Sequence, residues 1–243
     1  MPGRIPTAIV TGGSRGLGLA LAGGLRGLGW ALVIDARDPD GLQQGELELR
    51  RGNPSGAPLV AIAGDVRDAA HRRALVEAAR DLGGLDLLVN NAGVLGPNPL
   101  PPLADYPLDG LREVVEVNLV APLALFQATA DLLRAAPGGG RVVMVTSDAA
   151  VEAYPGWGGY GAAKAAVEQL AAVLAAEEPG LRVWWVDPGD LRTRMHQEAF
   201  PGEDISDRPL PEAAVAPFLR LLDSDRTSGR VRLADMDAAG SDR

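Results

Sequence analysis

The sequence predicts an α/β fold: one doubly wound parallel sheet of about seven strands with helices on both faces. Short apolar runs alternate with longer segments of helical periodicity along most of the chain, which is the pattern of repeated strand–helix–strand units. Right-handed helical connections between parallel strands place helices on both faces of such a sheet. No linker or change of composition divides the chain, so residues 1–243 are expected to form a single domain.

The strands and helices are placed by their local patterns. The predicted strands are TAIV (7–10), ALVI (31–34), PLVAIA (58–63), LDLLV (85–89), RVVMVTS (141–147) and LRVWWV (181–186). The predicted helices run from the first glycine-rich turn to about Leu28 and over 68–82, 109–135 and 160–176. Residues 38–57 predict a poor helix, TSGRVRLADM (227–236) keeps a weak strand pattern, and the tail 235–243 is expected to fray.

The composition limits the classes of function. The formal net charge is −9, whereas nucleic-acid binding needs clustered Lys and Arg, so no nucleic-acid partner is expected. The chain has no Cys and two histidines, His71 and His196. These counts exclude disulfides and Cys- or His-rich metal sites, so no metal is expected. His71 lies in a charged helical segment and is expected on the solvated surface.

The location is expected to be cytoplasmic. The N-terminal segment MPGRIPTAIVTGG lacks the secretory pattern, and no apolar run approaches a membrane span, so no membrane partner is expected. Residues 189–211 are rich in Pro, Asp, Glu and Arg and show little periodicity. A loop of this length in a compact domain is usually functional or mobile, so we expect a substrate lid there.

A glycine-rich turn follows the first strand and opens a helix. In TGGSRGLG (11–18), Gly12, Gly16 and Gly18 have the T-G-x-x-x-G-x-G spacing. Glycines permit a tight turn and let a pyrophosphate approach the backbone, where the helix N-terminus offers unpaired N–H groups. The same pattern also occurs in ordinary glycine-rich turns. In this context it predicts a dinucleotide site that includes Ser14, Arg15 and Leu17.

The end of the second strand bears on which nucleotide binds. An acid there takes the ribose hydroxyls, whereas a basic residue takes a 2′-phosphate. The segment LVIDARD (32–38) offers both Asp35 and Arg37. The two side chains point the same way only if the strand continues through both, so spacing leaves the choice open.

A possible proton-transfer group lies in the second half of the chain. Tyr160 and Lys164 are four residues apart and share one helical face. A nearby ammonium favours phenolate and would lower the pKa of Tyr160 toward neutrality, as a general acid needs when hydride reaches a carbonyl carbon. Ser147 ends a strand and could hold the substrate oxygen. Asn118 lies in the long helix and could relay protons through water.

These motifs together resemble the short-chain dehydrogenase/reductase family in its short single-domain branch, which has a Rossmann fold. The matching stretches are TGGSRGLG, GDV (64–66), NNAG (90–93), VNL (117–119), VTS (145–147), YGAAK (160–164) and DPGDLRT (187–193). They occur in the family's order and at typical spacings from residue 7 to about 193.

The resemblance implies a role for each matching residue. Asn118, Ser147, Tyr160 and Lys164 correspond to the catalytic tetrad, with Tyr160 as proton donor or acceptor. Lys164 would lower the pKa of the tyrosine and hold the nicotinamide ribose. The other implied cofactor contacts are Asp65 and Val66 at adenine, Asn90, Ala92 and Gly93 beside the fourth strand, and Pro188, Gly189 and Thr193 at the nicotinamide.

The resemblance also favours one cofactor. Many NAD-preferring members carry aspartate at the position of Ala36, and many NADP-preferring members carry a basic residue at that of Arg37. Arg15 is a second candidate for a 2′-phosphate. NADP(H) is therefore favoured, and NAD(H) is the alternative if Asp35 takes the ribose.

The implied activity is NAD(P)-dependent hydride transfer between nicotinamide and a carbonyl or secondary-alcohol substrate. A non-catalytic dinucleotide-binding regulator, or a related lyase or epimerase, is the alternative. The C-terminal segment lacks the family's Gly-Gly pair, which puts its tetramer contacts in doubt. A homodimer through helices 109–135 and 159–177 is expected, with a homotetramer as the alternative.

Three further residues have two interpretations each. Asp148 follows Ser147 and either faces the substrate or caps a turn, and the turn is favoured. Tyr154 and Trp157 either wall an apolar pocket or pack their own loop.

Overall fold

One parallel sheet organises the molecule. The computed structural model describes residues 4–52 and 56–238. Within them the strands are β1 (Thr7–Val10), β2 (Ala31–Ala36), β3 (Leu59–Ala63), β4 (Leu87–Asn90), β5 (Arg141–Val145), β6 (Arg182–Asp187) and β7 (Gly229–Arg232). The strand order is β3-β2-β1-β4-β5-β6-β7, with every pairing parallel. The predicted doubly wound fold is confirmed.

Helices connect the strands. They are α1 (Gly16–Gly27), α2 (Pro39–Gly52), α3 (Ala69–Asp81), α4 (Leu108–Val115), α5 (Ala121–Arg134), α6 (Gly158–Glu177), α7 (Arg194–Ala199), α8 (Val215–Asp223) and α9 (Asp235–Ala238). The start of α3 follows from its sequence, because the Asp68 carboxylate accepts a hydrogen bond from the Ala70 N–H at 2.8 Å and caps the helix. The tail 235–243 was expected to fray, but its first four residues form α9, and residues 239–243 lie outside the described chain.

Alternate strand residues supply two separate cores. In β1, Ala8 and Val10 pack toward α1 and α8, whereas Ile9 packs toward α3, α5 and α6. Because successive side chains of a strand point to opposite faces, a continuous apolar run is what burial on both faces requires.

A π-helical segment, Glu116–Val120, joins α4 to α5 and makes one continuous helix over 108–134. By length and composition alone this helix could cross a membrane. Half of its most apolar stretch is buried inside the fold, and α5 packs on α3 in the second core. Its hydropathy is thus that of a core helix.

The chain crosses from one side of β1 to the other between β3 and β4. β1 therefore lies between β2 and β4, and the connections leave their carboxyl ends in opposite directions. A crevice opens at such a point in doubly wound sheets, and ligands bind there.

Candidate active site

The glycine-rich turn joins the carboxyl end of β1 to α1. Gly12 and Gly16 have φ values of +66° and +55°, in the region that residues with a side chain rarely adopt. A Cβ at position 18 would lie 2.3 Å from the carbonyl oxygen of Gly12, so only glycine fits there. The turn lines a large cleft beside the first turn of α1.

Thr11 and Asn91 hold the turn to the end of β4. The Thr11 hydroxyl accepts hydrogen bonds from the Asn91 and Ala92 N–H groups, both at 3.0 Å. The Asn91 side chain donates to the Thr11 carbonyl at 2.8 Å. The resemblance implied a cofactor contact for Asn90, but its amide is buried and donates to the Met144 sulfur at 3.2 Å. The signal for Asn91 was present in the NNAG motif.

Asp35 ends β2 next to the turn, and its carboxylate is bound from two sides. Oδ1 accepts from the Gly12 N–H at 2.7 Å, and Oδ2 lies 2.9 Å from Nε2 of His71 on α3. Asp35 is 1% exposed and His71 is 7% exposed. The expectation that His71 is solvated surface was therefore wrong. The Asp35 carboxylate is already engaged by the protein, which does not favour the alternative in which it takes ribose hydroxyls.

Basic side chains line the outer part of the cleft. Arg15 and Arg37 are both exposed there. Asp65 also lines it, and its carboxylate accepts from the Arg67 guanidinium at 2.7 Å. That hydrogen bond lowers the pKa of Asp65, so the carboxylate stays ionised. Sequence reasoning had not included Arg67.

Asn118 lies in the π-helical segment and is 2% exposed. Its Oδ1 accepts from the Val94 N–H and its Nδ2 donates to the Val94 carbonyl, both at 2.9 Å. Both ends of the amide thus fix the chain that follows β4. A Cβ on Gly93 would lie 3.2 Å from the Asn118 Oδ1 and 3.8 Å from the Lys164 Nζ, so the asparagine and lysine flank the same residue.

Tyr160 and Lys164 share one face of α6, as predicted. Lys164 is the only lysine in the chain. Its Nζ donates to the Val145 carbonyl at 2.7 Å and lies 5.5 Å from the centroid of the Tyr160 ring. The two side chains are therefore neighbours, and the end of β5 holds the ammonium in place.

The pKa values of the pair differ from the sequence expectation. Burial lowers the pKa of Lys164 to about 8. Burial also raises the pKa of Tyr160, and the negative charge of Asp148 raises it further. The predicted lowering of the Tyr160 pKa by Lys164 is therefore not found in this structure. Burial and the charge of Asp148 both disfavour the phenolate, and burial disfavours the ammonium.

Ser147 follows β5, and Asp148 binds its hydroxyl. The Ser147 Oγ donates to the Asp148 carboxylate at 2.7 Å. The same carboxylate accepts from the Ala149 N–H at 2.8 Å and from the Tyr154 hydroxyl at 3.0 Å. Asp148 also lines the cleft. Asp148 thus binds the turn, as favoured from the sequence, and also lines the cleft; that it faces the substrate stays a prediction.

Arg230 of β7 bonds residues of α6 and β6 and the backbone of Ser147. Its Nε lies 3.0 Å from the Glu168 carboxylate of α6, and its Nη2 lies 3.2 Å from the Asp187 carboxylate of β6. Nη2 also donates to the Ser147 carbonyl at 3.2 Å. Asp187 in turn accepts from the Gly189 N–H at 3.0 Å. One guanidinium therefore joins the ends of three strands, and sequence reasoning had missed it.

The predicted lid at 189–211 contains α7. Thr193 caps the first turn of this helix, and its hydroxyl accepts a hydrogen bond from the His196 N–H at 3.1 Å. Phe200, at the end of α7, contacts Trp157, with 5.9 Å between the ring centroids. Trp157 meets Tyr160 edge to face at 5.7 Å. Trp157 thus lies in the wall of the cleft beside the catalytic candidates, whereas Tyr154 is 43% exposed.

The cleft brings most of the predicted residues together. Its volume is about 1310 Å³, above the range of common small-molecule pockets. Two of the predicted site residues, Asn90 and Asn118, do not line it. The predicted residues that do are Gly12, Ser14, Arg15, Gly16, Leu17, Gly18, Asp35, Arg37, Asp65, Val66, Ala92, Gly93, Ser147, Tyr160, Lys164, Pro188, Gly189 and Thr193.

Known proteins resemble this chain in sequence and in structure. A family model described as short chain dehydrogenase matches residues 6–204. Sepiapterin reductase of Meriones unguiculatus is 38% identical over 200 residues, which cover 79% of this chain and 76% of that protein. Benzil reductase ((S)-benzoin forming) of Saccharomyces cerevisiae is 32% identical over 197 residues, which cover 78% and 73% of the two chains.

A solved structure adds a comparison at the level of the fold. The alcohol dehydrogenase from the archaeon Thermococcus sibiricus, complexed with 5-hydroxy-NADP, matches with a TM-score of 0.83 and 27% identity. The match covers 94% of this chain and 95% of that one.

Proposed function

This chain belongs to the short-chain dehydrogenase/reductase family, and we propose that it is an NADP(H)-dependent oxidoreductase that interconverts a carbonyl group and a secondary alcohol. One observation carries the proposal. Ser147, Tyr160 and Lys164 line the same cleft as the glycine-rich turn. A proton-transfer group and a dinucleotide-binding turn in one cleft are what hydride transfer to a carbonyl requires.

The residues of the cleft fit a dinucleotide. At position 18 a Cβ would meet backbone, so glycine is required there. Gly12 and Gly13 donate their N–H groups to Asp35, so a pyrophosphate would bind to the unpaired N–H groups of the first turn of α1. The cleft volume of about 1310 Å³ leaves room for a small substrate as well. When bound, the dinucleotide supplies or accepts the hydride.

Charge at the outer cleft supports NADP(H) over NAD(H). Arg15 and Arg37 are exposed in the cleft, and guanidinium groups suit a 2′-phosphate. Asp35 is engaged by Gly12 and His71. The alcohol dehydrogenase that resembles this chain was solved with 5-hydroxy-NADP, which supports the same choice.

The chain's own residues would handle the proton. Tyr160 would donate its phenolic proton to the substrate oxygen during reduction and take it back during oxidation. Its raised pKa keeps the phenol protonated at neutral pH, which suits a general acid. Ser147 would hold the substrate oxygen once its hydroxyl turns from Asp148. Lys164 places a cation beside the phenol.

The substrate is proposed to be a flat, largely aromatic ketone or diketone. Trp157 and Met195 both line the cleft, and Trp157 meets the Tyr160 ring. Apolar and aromatic walls of this kind suit a planar ligand. Sepiapterin reductase and benzil reductase are among the proteins that the chain resembles, and benzil is a useful first test compound.

The proposed setting is the cytoplasm, with the protein as a homodimer. Val120 at the start of α5 and Val173 on α6 are 40% and 44% exposed. These helices are those from which the sequence predicted a dimer. Small apolar side chains on exposed helices would permit close packing against a second copy.

Replacement of Tyr160 by phenylalanine tests the proposed function. Loss of a general acid lowers turnover by roughly 10²- to 10⁴-fold, so Tyr160→Phe should reduce benzil with NADPH at least about 100-fold more slowly while its NADPH affinity stays within about twofold. Nicotinamide fluorescence gives the affinity, and NADPH absorbance gives the rate.

Tyr106 supplies the matched control. It is 8% exposed, and its hydroxyl has no hydrogen-bond partner among the described residues. Tyr106→Phe should therefore keep both turnover and binding. Near wild-type turnover in Tyr160→Phe would remove Tyr160 from the mechanism, and a wild-type protein that binds neither NADPH nor NADH would overturn the function itself.

A further inference from the structure

A carboxylate lies at the end of β2, beside the part of the cleft proposed to receive the adenosine end of the dinucleotide. Asp35 lines the cleft together with Arg37, two residues further along. An anion in this position would repel a 2′-phosphate and attract ribose hydroxyls. The position therefore bears on which nucleotide the protein selects.

The surroundings of Asp35 hold the carboxylate in one orientation. A carboxylate that is 1% exposed must be paired or hydrogen-bonded. The Gly12 N–H at 2.7 Å fixes Oδ1 against the glycine-rich turn. His71 Nε2 at 2.9 Å fixes Oδ2 from the opposite direction. Neither oxygen is left without a donor.

His71 is built into this place by its neighbours. It lies on the buried face of α3 with Leu75 and Val76. A Cβ at position 64 would lie 2.2 Å from Nδ1 of the imidazole. The ring therefore occupies the space that a glycine at 64 leaves, and the end of β3 fixes its position.

We propose that His71 is a positioning residue for nucleotide selection. It holds the Asp35 carboxylate against the glycine-rich turn. The carboxylate is thereby kept from repelling a 2′-phosphate in the part of the cleft that would receive the adenosine end of the dinucleotide. This inference rests on the proposed function. It adds that the phosphate preference depends on a histidine outside the cleft as well as on the two exposed arginines.

The test measures dissociation constants for NADPH and NADH by nicotinamide fluorescence. His71→Leu keeps the bulk of the side chain and removes the imidazole N–H that binds Asp35. Oδ2 of the carboxylate then has no hydrogen-bond donor from α3. NADPH binding should weaken roughly three- to tenfold more than NADH binding, since only NADPH carries the extra phosphate charge. His71→Gln keeps a donor for Asp35 and should restore the wild-type ratio of the two constants.

Removal of the carboxylate supplies the decisive comparison. Asp35→Ser/His71→Leu should not show the weakening of NADPH relative to NADH that His71→Leu shows, because the carboxylate that His71 restrains is gone. A ratio that stays shifted in the double variant would overturn the inference, as would equal weakening of both nucleotides in His71→Leu.

Two outcomes separate the causes of failure. If His71→Leu does not fold, the double variant should still fold and bind NADPH, because it buries no carboxylate that has lost its histidine. Failure of the double variant would assign the histidine a structural role and overturn the inference. Absence of binding in the wild-type protein would instead overturn the proposed function.

Discussion

Arg230→Met removes the guanidinium that lies between two buried carboxylates. The side chains of Asp187 and Glu168 are 4% and 12% exposed, and that of Arg230 is 24% exposed. Loss of one partner from a buried ion pair costs about 3–5 kcal/mol. Because water reaches part of the guanidinium, we expect the lower end, about 3 kcal/mol of unfolding free energy.

Equilibrium denaturation in urea measures this loss. For a chain of this size about 3 kcal/mol corresponds to a fall in Tm of roughly 6–12 °C. Arg232→Met is the matched control: that side chain is 64% exposed and its Nε lies 3.9 Å from the same Asp187 carboxylate. An exposed pair of this kind contributes about 0–1 kcal/mol. Equal losses in the two variants would refute the idea that Arg230 compensates the buried charges.

Three further predictions follow from burial and packing. Burial lowers the pKa of Lys164 to about 8 from its usual 10.5, so the folded state binds fewer protons than the unfolded state between those values, and stability should rise with pH over that window. Lys164→Met should abolish that rise and increase the free energy of unfolding at pH 7 by on the order of 3 kcal/mol. Urea unfolding at pH 7 and pH 10 measures this, and a variant whose stability still rises with pH as the wild type's does would contradict it. Asp148→Asn removes a charge that raises the pKa of Tyr160, so the rise of alcohol oxidation with pH should move to lower pH; an unshifted profile of kcat against pH would show that this charge does not act on the phenol. Gly18→Ala places a Cβ against backbone and should abolish nucleotide binding, whereas Gly27→Ala meets no atom within 4 Å and should bind normally by fluorescence titration.

Apolar patterning located the sheet well because its central strands β1, β2 and β4 are buried on both faces. The predicted strand 7–10 is found unchanged, and the runs 31–34 and 85–89 become Ala31–Ala36 and Leu87–Asn90. The ends differ since they are set by hydrogen bonds to neighbouring strands, which apolar residues alone do not mark.

Helix α2 shows where local propensity failed. The poor helix predicted over 38–57 is a regular helix, Pro39–Gly52. Leu42, Gly45 and Leu49 form its buried face. Gly45 lowers helix propensity, but a Cβ there would lie 2.8 Å from the Ser14 carbonyl oxygen. The glycine is required by contact with the glycine-rich turn, and packing outweighs propensity.

Within the site, local spacing was informative and long-range contacts were not. The shared face of Tyr160 and Lys164 follows from helix geometry alone. The pairing of Asp35 with His71 joins residues 36 positions apart, and no local pattern predicts it. The direction of the Tyr160 pKa also needed the structure, because it depends on how far both groups are withdrawn from water.

The single lysine has a chemical consequence of its own. All the other Lys and Arg positions are arginine, so Lys164 carries the one side-chain amine in this chain. With a pKa of about 8, roughly one tenth of it is the uncharged nucleophile at pH 7. Apart from the α-amino group, reagents that modify amines would thus act on a residue that lines the cleft rather than across the surface. The rate of that modification would report how often the cleft is open, and a molecule bound in it would protect the nitrogen.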